Sequence, residues 1–141
     1  MLRISNALAE FDLDAVYGFL SEDAYWSKGL PRDVFERAIA NSLCFGGFVG
    51  EAQVAFGRVI TDRATFAYLA DVFVLPEHRG LGYSKQLMEA VVAHPDLQSL
   101  RRMVLVTGDA HGLYTRYGFT PLAVPDRYME LHHPDIYSGG R

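Results

Sequence analysis

The chain has 141 residues, of which 50% are hydrophobic and 21% charged, as expected of a single globular domain spanning 1–141. Its net charge of -4 gives no general attraction to nucleic acid or to an anionic membrane, so any anion site has to be local. The single cysteine, Cys44, excludes an internal disulfide. No apolar run reaches the ~18 residues of a membrane helix, and the N-terminus lacks the apolar core of a signal peptide. We therefore expect a cytoplasmic protein.

Hydrophobic periodicity predicts elements in the order βααβββαβαββ, which is typical of an α/β layered fold. Helices are expected at 13–20, 31–41, 79–93 and 110–117. Strands are expected at 2–5, in a hairpin over 43–60 that turns near 50–51, and at 65–75, 103–107, 119–124 and 128–132. Residues 84, 87, 88, 91 and 92 share the inner face of the main helix.

Residues 70–84, ADVFVLPEHRGLGYS, combine a buried strand, a glycine-containing turn and the start of the main helix. Pro76 stops the strand, and the turn that follows is basic and contains glycine. Free main-chain amides and the positive end of the helix dipole meet at such a turn, and glycine lets a phosphate approach closely. The sequence therefore predicts an anion site there.

Two motifs within about residues 43–132 resemble those of the GNAT N-acetyltransferase superfamily. The segment Arg79-Gly80-Leu81-Gly82-Tyr83-Ser84 is similar to the acetyl-CoA signature Arg/Gln-x-x-Gly-x-Gly/Ala, and residues 113–119, LYTRYGF, resemble a late Leu-Tyr-x-x-x-Gly-Phe segment. Ser84 departs from the pattern, but a small side chain is what a helix face packed on a sheet requires. The order and placement of the pair make the resemblance specific.

The resemblance implies acetyl-CoA as co-substrate and a mixed, mostly antiparallel central sheet flanked by helices. The main-chain amides of Arg79, Gly80, Leu81, Gly82, Tyr83 and Ser84 would hold the pyrophosphate. The main chain of Phe73 and Val74 would bind the pantetheine arm and the thioester carbonyl. Asp109 matches a family position near the CoA arm, and it would serve equally well as the N-cap of the helix at 110–117.

Two residues are implied as catalytic. Tyr114 aligns with a tyrosine that protonates the departing thiolate, although it could instead be an aromatic packed under the sheet. Asp71 is the only charged residue within 65–75, and the strand period places it on the same face as Leu69 and Phe73. It would either take the proton of the attacking amine or make structural hydrogen bonds, because a buried carboxylate needs a partner.

Tyr25 and Trp26 lie between the first two helices, where the resemblance implies a wall of the acceptor pocket. They could bind an apolar or cationic acceptor, or belong to a packed loop. The sequence leaves open whether the acceptor is a small-molecule amine or a protein amine. Dimers are common among similar proteins, so a homodimer fits, whereas neither nucleic acid nor membrane is expected as a partner. The five histidines show no metal-site spacing, so no metal is expected.

The function that these features favour is direct acetyl transfer from acetyl-CoA to an amine. The alternative is an acyl-CoA-binding sensor or partner module without catalysis. A nucleotide-binding protein is a weaker third reading, since the P-loop lysine and the longer GxGxxG fingerprint are absent.

Overall fold

The computed structural model describes residues 1–138, which form one five-stranded sheet and four α-helices. The strands are β1 (Arg3–Ser5), β2 (Leu43–Val49), β3 (Ala52–Thr61), β4 (Phe66–Val74) and β5 (Arg102–Leu105). The helices are α1 (Leu13–Gly18), α2 (Arg32–Ala40), α3 (Tyr83–Ala93) and α4 (His111–Thr115). The sheet order follows the chain order, with β1 to β4 antiparallel and β5 parallel to β4. The predicted mixed, mostly antiparallel α/β fold is confirmed.

Two predicted strands are wrong. Residues 119–124 and 128–132 form no strand and are largely exposed; a short 3-10 turn, Pro125–Arg127, separates them. Their apolar, β-branched composition favours strand formation, but a strand also needs a neighbour, and none pairs with them within residues 1–138. Hydrophobic periodicity in a segment does not show whether such a neighbour exists.

The main helix begins later than predicted. It starts at Tyr83 rather than at position 79, because Gly80 and Gly82 both adopt a φ of +82°. A right-handed helix cannot contain such residues, so the turn is separate from the helix. Val92 is also misplaced by the prediction, since its side chain is 38% exposed. None of the helices within residues 1–138 is long and apolar enough to span a membrane.

Strand β4 contains a β-bulge at Asp71. Phe56 pairs with Phe73 and Arg58 pairs with Ala70, so two residues of β4 oppose the single Gly57 of β3. Asp71 takes the extra position with a φ of +57°. The expectation that Asp71 shares a face with both Leu69 and Phe73 is therefore wrong for Leu69, because the inserted residue reverses the alternation. Phe73 lies with Asp71 on the face toward α1 and α2, whereas Leu69 lies on the face toward α3.

Apolar side chains cover both faces of the sheet. Along β2, Cys44 joins the cluster under α1 and α2, whereas Leu43 and Phe45 join the cluster under α3. Helix α3 is anchored by Leu87 and Met88, whose side chains are fully buried. Truncating either to alanine would cost ~2–5 kcal/mol.

The sheet opens between β4 and β5. The two strands pair only along the first half of β4, where Phe66 to Leu69 oppose Arg102 to Leu105. No strand within residues 1–138 pairs with residues 70–74 of β4 on that side, and the chain after β5 turns away toward α4. We call this unpaired stretch the open edge of β4. It ends at the glycine turn.

Candidate functional site

The glycine turn presents main-chain amides at the end of the open edge. The first amide of α3 with an acceptor in the described chain is that of Gln86, which donates to the Gly82 carbonyl at 3.2 Å. No side chain of the described residues caps the helix, so the amides of its first turn are available to a ligand. Arg79 donates from Nε to the Val74 carbonyl at 2.9 Å, which ties the turn to the strand. Arg79 is thus a structural clamp as well as a local positive charge.

The last residues of β4 alternate in the direction of their amides. The Leu75 amide donates to the Val54 carbonyl of β3 at 2.8 Å. Alternate residues of a strand point their amides the same way, so the Phe73 amide also faces β3. The Val74 amide faces the opposite way, toward the gap between β4 and β5. Of the two residues predicted to bind the cofactor arm, Val74 is the one whose main chain lies on the open side.

Asp71 lies on the sheet face that packs against α1 and α2, and both of its carboxylate oxygens have protein partners. Arg58 donates from Nε to one oxygen at 2.8 Å, and the Trp26 indole donates to the other at 2.8 Å. The side chains of Arg58 and Asp71 are only 16% and 11% exposed, so the pair is close to buried. Arg58 also donates to the Ser42 hydroxyl at 3.1 Å. The expected partner of the Asp71 carboxylate is therefore present.

Arg58 is the residue of this network that sequence reasoning missed. It is the only charged residue of β3, a mostly apolar strand next to β4. A lone cation in one apolar strand and a lone carboxylate in its neighbour would have suggested the pair. The hairpin register that brings them together was the missing information.

Tyr25 and Trp26 lie at the opening between β4 and β5. Trp26 contacts Asp71 of β4, and the rings of Tyr25 and Trp26 pack edge to face at 5.2 Å. The Tyr25 hydroxyl reaches the chain that follows β5, since a Cβ built on Gly108 would lie 3.4 Å from it. Tyr25 is 75% exposed and Trp26 is 45% exposed, so both rings offer surface to a ligand. The loop between α1 and α2 therefore spans from β4 to the region beyond β5.

Tyr114 is buried in the cluster under α3, where its ring packs against Phe119 at 5.9 Å. Burial, and secondarily the negative charge of Asp109, raise the pKa of the Tyr114 phenol above its usual value. The phenol is protonated at neutral pH, which is the form that a general acid requires. Both readings of Tyr114, packed aromatic and proton donor, are compatible with this environment.

Asp109 does not cap α4. The N-cap position is Ala110, and the hydroxyl of Thr107 accepts from the amides of Asp109 and Ala110 at 3.4 and 3.1 Å. The N-cap interpretation of Asp109 is wrong. A contact between Asp109 and the CoA arm stays a prediction.

The buried Cys44 is unsuited to nucleophilic chemistry. Its side chain is close to Arg58 and Asp71, and burial raises the pKa of the thiol to about 11 despite the nearby Arg58 charge. Among residues 1–138, no group of three or more His, Cys, Asp or Glu side chains is arranged to hold a metal ion.

Comparisons with known proteins identify the fold and the family. A family model described as an acetyltransferase (GNAT) domain matches residues 40–121. A relative from Gibberella zeae, named "Putative acetyltransferase FG08082", is 33% identical over 133 residues, covering 79% of this chain and 74% of the relative. A crystal structure from Xanthomonas campestris, described as "a putative acetyltransferase belonging to the gnat family", is 58% identical with a TM-score of 0.95. That match covers 98% of this chain and 97% of the other.

A more distant structure shares the fold. A GNAT family acetyltransferase from Elizabethkingia anophelis, with acetyl-CoA bound, has a TM-score of 0.65 at 14% identity and covers 92% of this chain and 86% of its own. The family model spans more than half of the chain and includes the glycine turn, the open edge and Tyr114. The chain therefore belongs to the GNAT family of acetyltransferases.

Proposed function

We propose that this protein is an N-acetyltransferase that moves an acetyl group directly from acetyl-CoA to an acceptor amine. The observation that carries the proposal is the open edge of β4, which runs from the Asp71 network to the amides of the glycine turn. An extended, amide-containing pantetheine arm can hydrogen-bond to such an edge as an added strand does. The acetyl-CoA bound by the Elizabethkingia anophelis protein supports this choice of co-substrate.

Each part of the site would have one task. The amides at 79–84 would bind the pyrophosphate, and the Val74 amide would stabilise negative charge on the thioester oxygen, which is worth ~3–4 kcal/mol for a well-placed donor. Holding the amine beside the thioester would remove ~7–11 kcal/mol of the barrier. Attack by the amine nitrogen forms the amide bond and breaks the carbon–sulfur bond, and Tyr114 would give its proton to the departing sulfur.

The Asp71 contacts favour a positioning role for this carboxylate. Arg58 and Trp26 occupy one lone pair on each oxygen, which fixes Trp26 as a wall of the acceptor pocket. The remaining lone pairs can accept from water, so the proton lost by the amine would leave through a water molecule at Asp71. The amine acceptor is proposed as a small molecule or a protein amine, bound between Asp71, Trp26 and Tyr25.

The test is the exchange of Tyr114 for phenylalanine, with Tyr117→Phe as the matched control. Tyr117 lies on the same segment, but its hydroxyl donates to the Lys85 carbonyl at 3.0 Å. Tyr114→Phe should lower turnover by roughly 10²-fold with little change in acetyl-CoA affinity, because a general acid acts only in the transition state. Tyr117→Phe should keep near-normal turnover. Thiol release and calorimetry measure the two quantities.

The two function hypotheses separate in the same assays. Acetyl-CoA binding followed by thiol release with at least one member of an amine panel supports the transferase. Binding without transfer to any amine would favour the acyl-CoA sensor. Undiminished turnover of Tyr114→Phe would remove the general-acid role while leaving the transferase in place.

A further inference from the structure

The loop that carries Tyr25 and Trp26 is fixed at its end. We call residues 24–31 the aromatic loop. The Gly29 amide donates to the Ser21 carbonyl at 2.8 Å, and Ser27 is buried, so the second half of the loop is tied to the helical turn after α1. Tyr25 and Trp26, in the first half, are 75% and 45% exposed. Their placement therefore depends on how firmly the rest of the loop is held.

A residue near the C-terminus packs beside this loop. Every residue from 120 to 138 is exposed except Tyr137, which is partly buried. Tyr137 packs against the apolar cluster under α1 and α2, and this cluster includes Leu30 of the aromatic loop. The chain around it is ordered by a local turn, in which the Ser138 amide donates to the Asp135 carbonyl at 3.0 Å. Tyr137 thus holds an otherwise exposed segment to the body of the protein at the aromatic loop.

Gly29 lets this segment come close to the loop backbone. Its φ of +83° is a left-handed conformation that favours glycine. A Cβ built on Gly29 would lie 3.2 Å from the Tyr137 carbonyl oxygen and 3.7 Å from the Tyr137 Cβ. The first of these distances is so short that a side chain at position 29 would push Tyr137 away. Glycine at this position therefore serves the contact with Tyr137 as well as the turn.

We propose that Tyr137 is a positioning residue for the acceptor amine, and this inference rests on the proposed acetyl-transfer function. Tyr137 covers Gly29 and so restricts the aromatic loop, which keeps the Trp26 indole at its 2.8 Å hydrogen bond to Asp71 before the amine binds. A site that is ordered in advance binds its ligand more tightly, because less conformational entropy is lost on binding.

The first experiment compares Tyr137→Ala with Tyr137→Phe, which keeps the ring. With the best substrate of an amine panel, Tyr137→Ala should raise the KM for the amine about tenfold, which is the cost of ordering one or two side chains on binding. Its kcat should stay near that of the wild type, because the loop is ordered once the amine is bound. Acetyl-CoA affinity should also be unchanged. Tyr137→Phe should match the wild type throughout, and an unchanged KM in Tyr137→Ala would overturn the proposal.

The second experiment tests the same contact from the loop, with Gly29→Ala and the matched control Gly50→Ala. Both glycines have positive φ, +83° and +59°, so both substitutions strain the backbone. A Cβ on Gly50 would meet no described atom within 4 Å, whereas one on Gly29 would meet Tyr137. Gly29→Ala should raise the KM for the amine as Tyr137→Ala does, and Gly50→Ala should not. An equal rise in both glycine variants would assign the effect to strain and overturn the proposal.

Tryptophan fluorescence tests the positioning role without turnover. Trp26 is the single tryptophan of the chain, so its emission reports on the aromatic loop. Acrylamide should quench this emission more strongly in Tyr137→Ala and Gly29→Ala than in the wild type and the two control variants. Equal quenching in all five proteins would overturn the positioning role. A wild type that acetylates no amine would instead overturn the proposed function, whatever the fluorescence shows.

Discussion

The two walls of the candidate site present different chemical groups. The glycine turn at 79–84 offers main-chain amides, and its geometry depends on two residues with positive φ. The opposite wall offers side chains from three separate segments, because Trp26, Arg58 and Asp71 come from a loop, β3 and β4. The first wall is local in sequence, whereas the second exists only after the sheet has formed.

This difference separates what each wall can tolerate. Side chains in the turn can vary as long as the backbone keeps its shape, since amides are common to all residues except proline. The opposite wall depends on the particular side chains of an ion pair and an indole. Changes in backbone conformation should therefore weaken ligand binding at the glycine turn. Changes of side chain should weaken ligand binding at the opposite wall.

The largest effect is expected from Arg58→Met. Removing the guanidinium leaves Asp71 nearly buried beside Trp26 without a cation, and we expect the free energy of unfolding to fall by about 2–3 kcal/mol. Arg3→Met is the control, because the Arg3–Glu10 pair is half exposed, with side-chain accessibilities of 54% and 43%. Its loss should be much smaller, because water screens an exposed ion pair. Urea unfolding measures both, and equal losses would contradict the importance of the Arg58 network.

The next effect tests the backbone wall through Gly82→Val. A β-branched residue at a φ of +82° is strained by ~1–2 kcal/mol, so acetyl-CoA affinity should fall roughly tenfold. Leu81→Ala changes a residue that is 59% exposed and does not strain the backbone. The acetyl-CoA affinity of this variant should therefore stay near that of the wild type. Calorimetry gives both values. An equal loss in the two variants would show that the turn binds through side chains.

The smallest effect concerns Cys44, which lies close to Arg58 and Asp71. Burial raises the pKa of its thiol from 9.0 to about 11, so the folded state favours the protonated form. The higher pKa in the folded state contributes to the free energy of unfolding, and this contribution is fully present below pH 9. It is lost as the pH rises toward 11, and the loss amounts to about 1 kcal/mol between pH 8 and pH 10. The wild type should lose this much more stability over that interval than Cys44→Ala. Identical losses in urea unfolding would contradict the raised pKa.

The sequence was sufficient for features set by local pattern. The order of strands and helices through α4, the glycine turn and the core face of α3 at Leu87 and Met88 follow from periodicity and from the requirements of a tight turn. The two walls of the site differ in the same way. The glycine-containing turn was predictable, and its role as an anion site stays a prediction. The identity of the Asp71 partner depended on the register between β3 and β4.

Two wrong predictions show what hydrophobic periodicity cannot predict. The strand period put Leu69, Asp71 and Phe73 on one face, but the bulge at Asp71 leaves Leu69 on the face opposite Asp71 and Phe73. An apolar pattern does not show where a residue is inserted into a strand. The segments at 119–124 and 128–132 have strand composition without a strand partner in the same chain. Such a composition indicates that the segments favour burial, but it does not identify the surface that would bury them.

The left-handed backbone at Asp71 restricts which residues can replace it. A φ of +57° is tolerated by asparagine, aspartate and glycine and resisted by longer or branched side chains. Asp71→Asn would keep the bulge while losing the charge, and Asp71→Glu would keep the charge while straining the bulge. Backbone conformation therefore favours asparagine, aspartate and glycine at this position, in addition to any chemical role of the carboxylate.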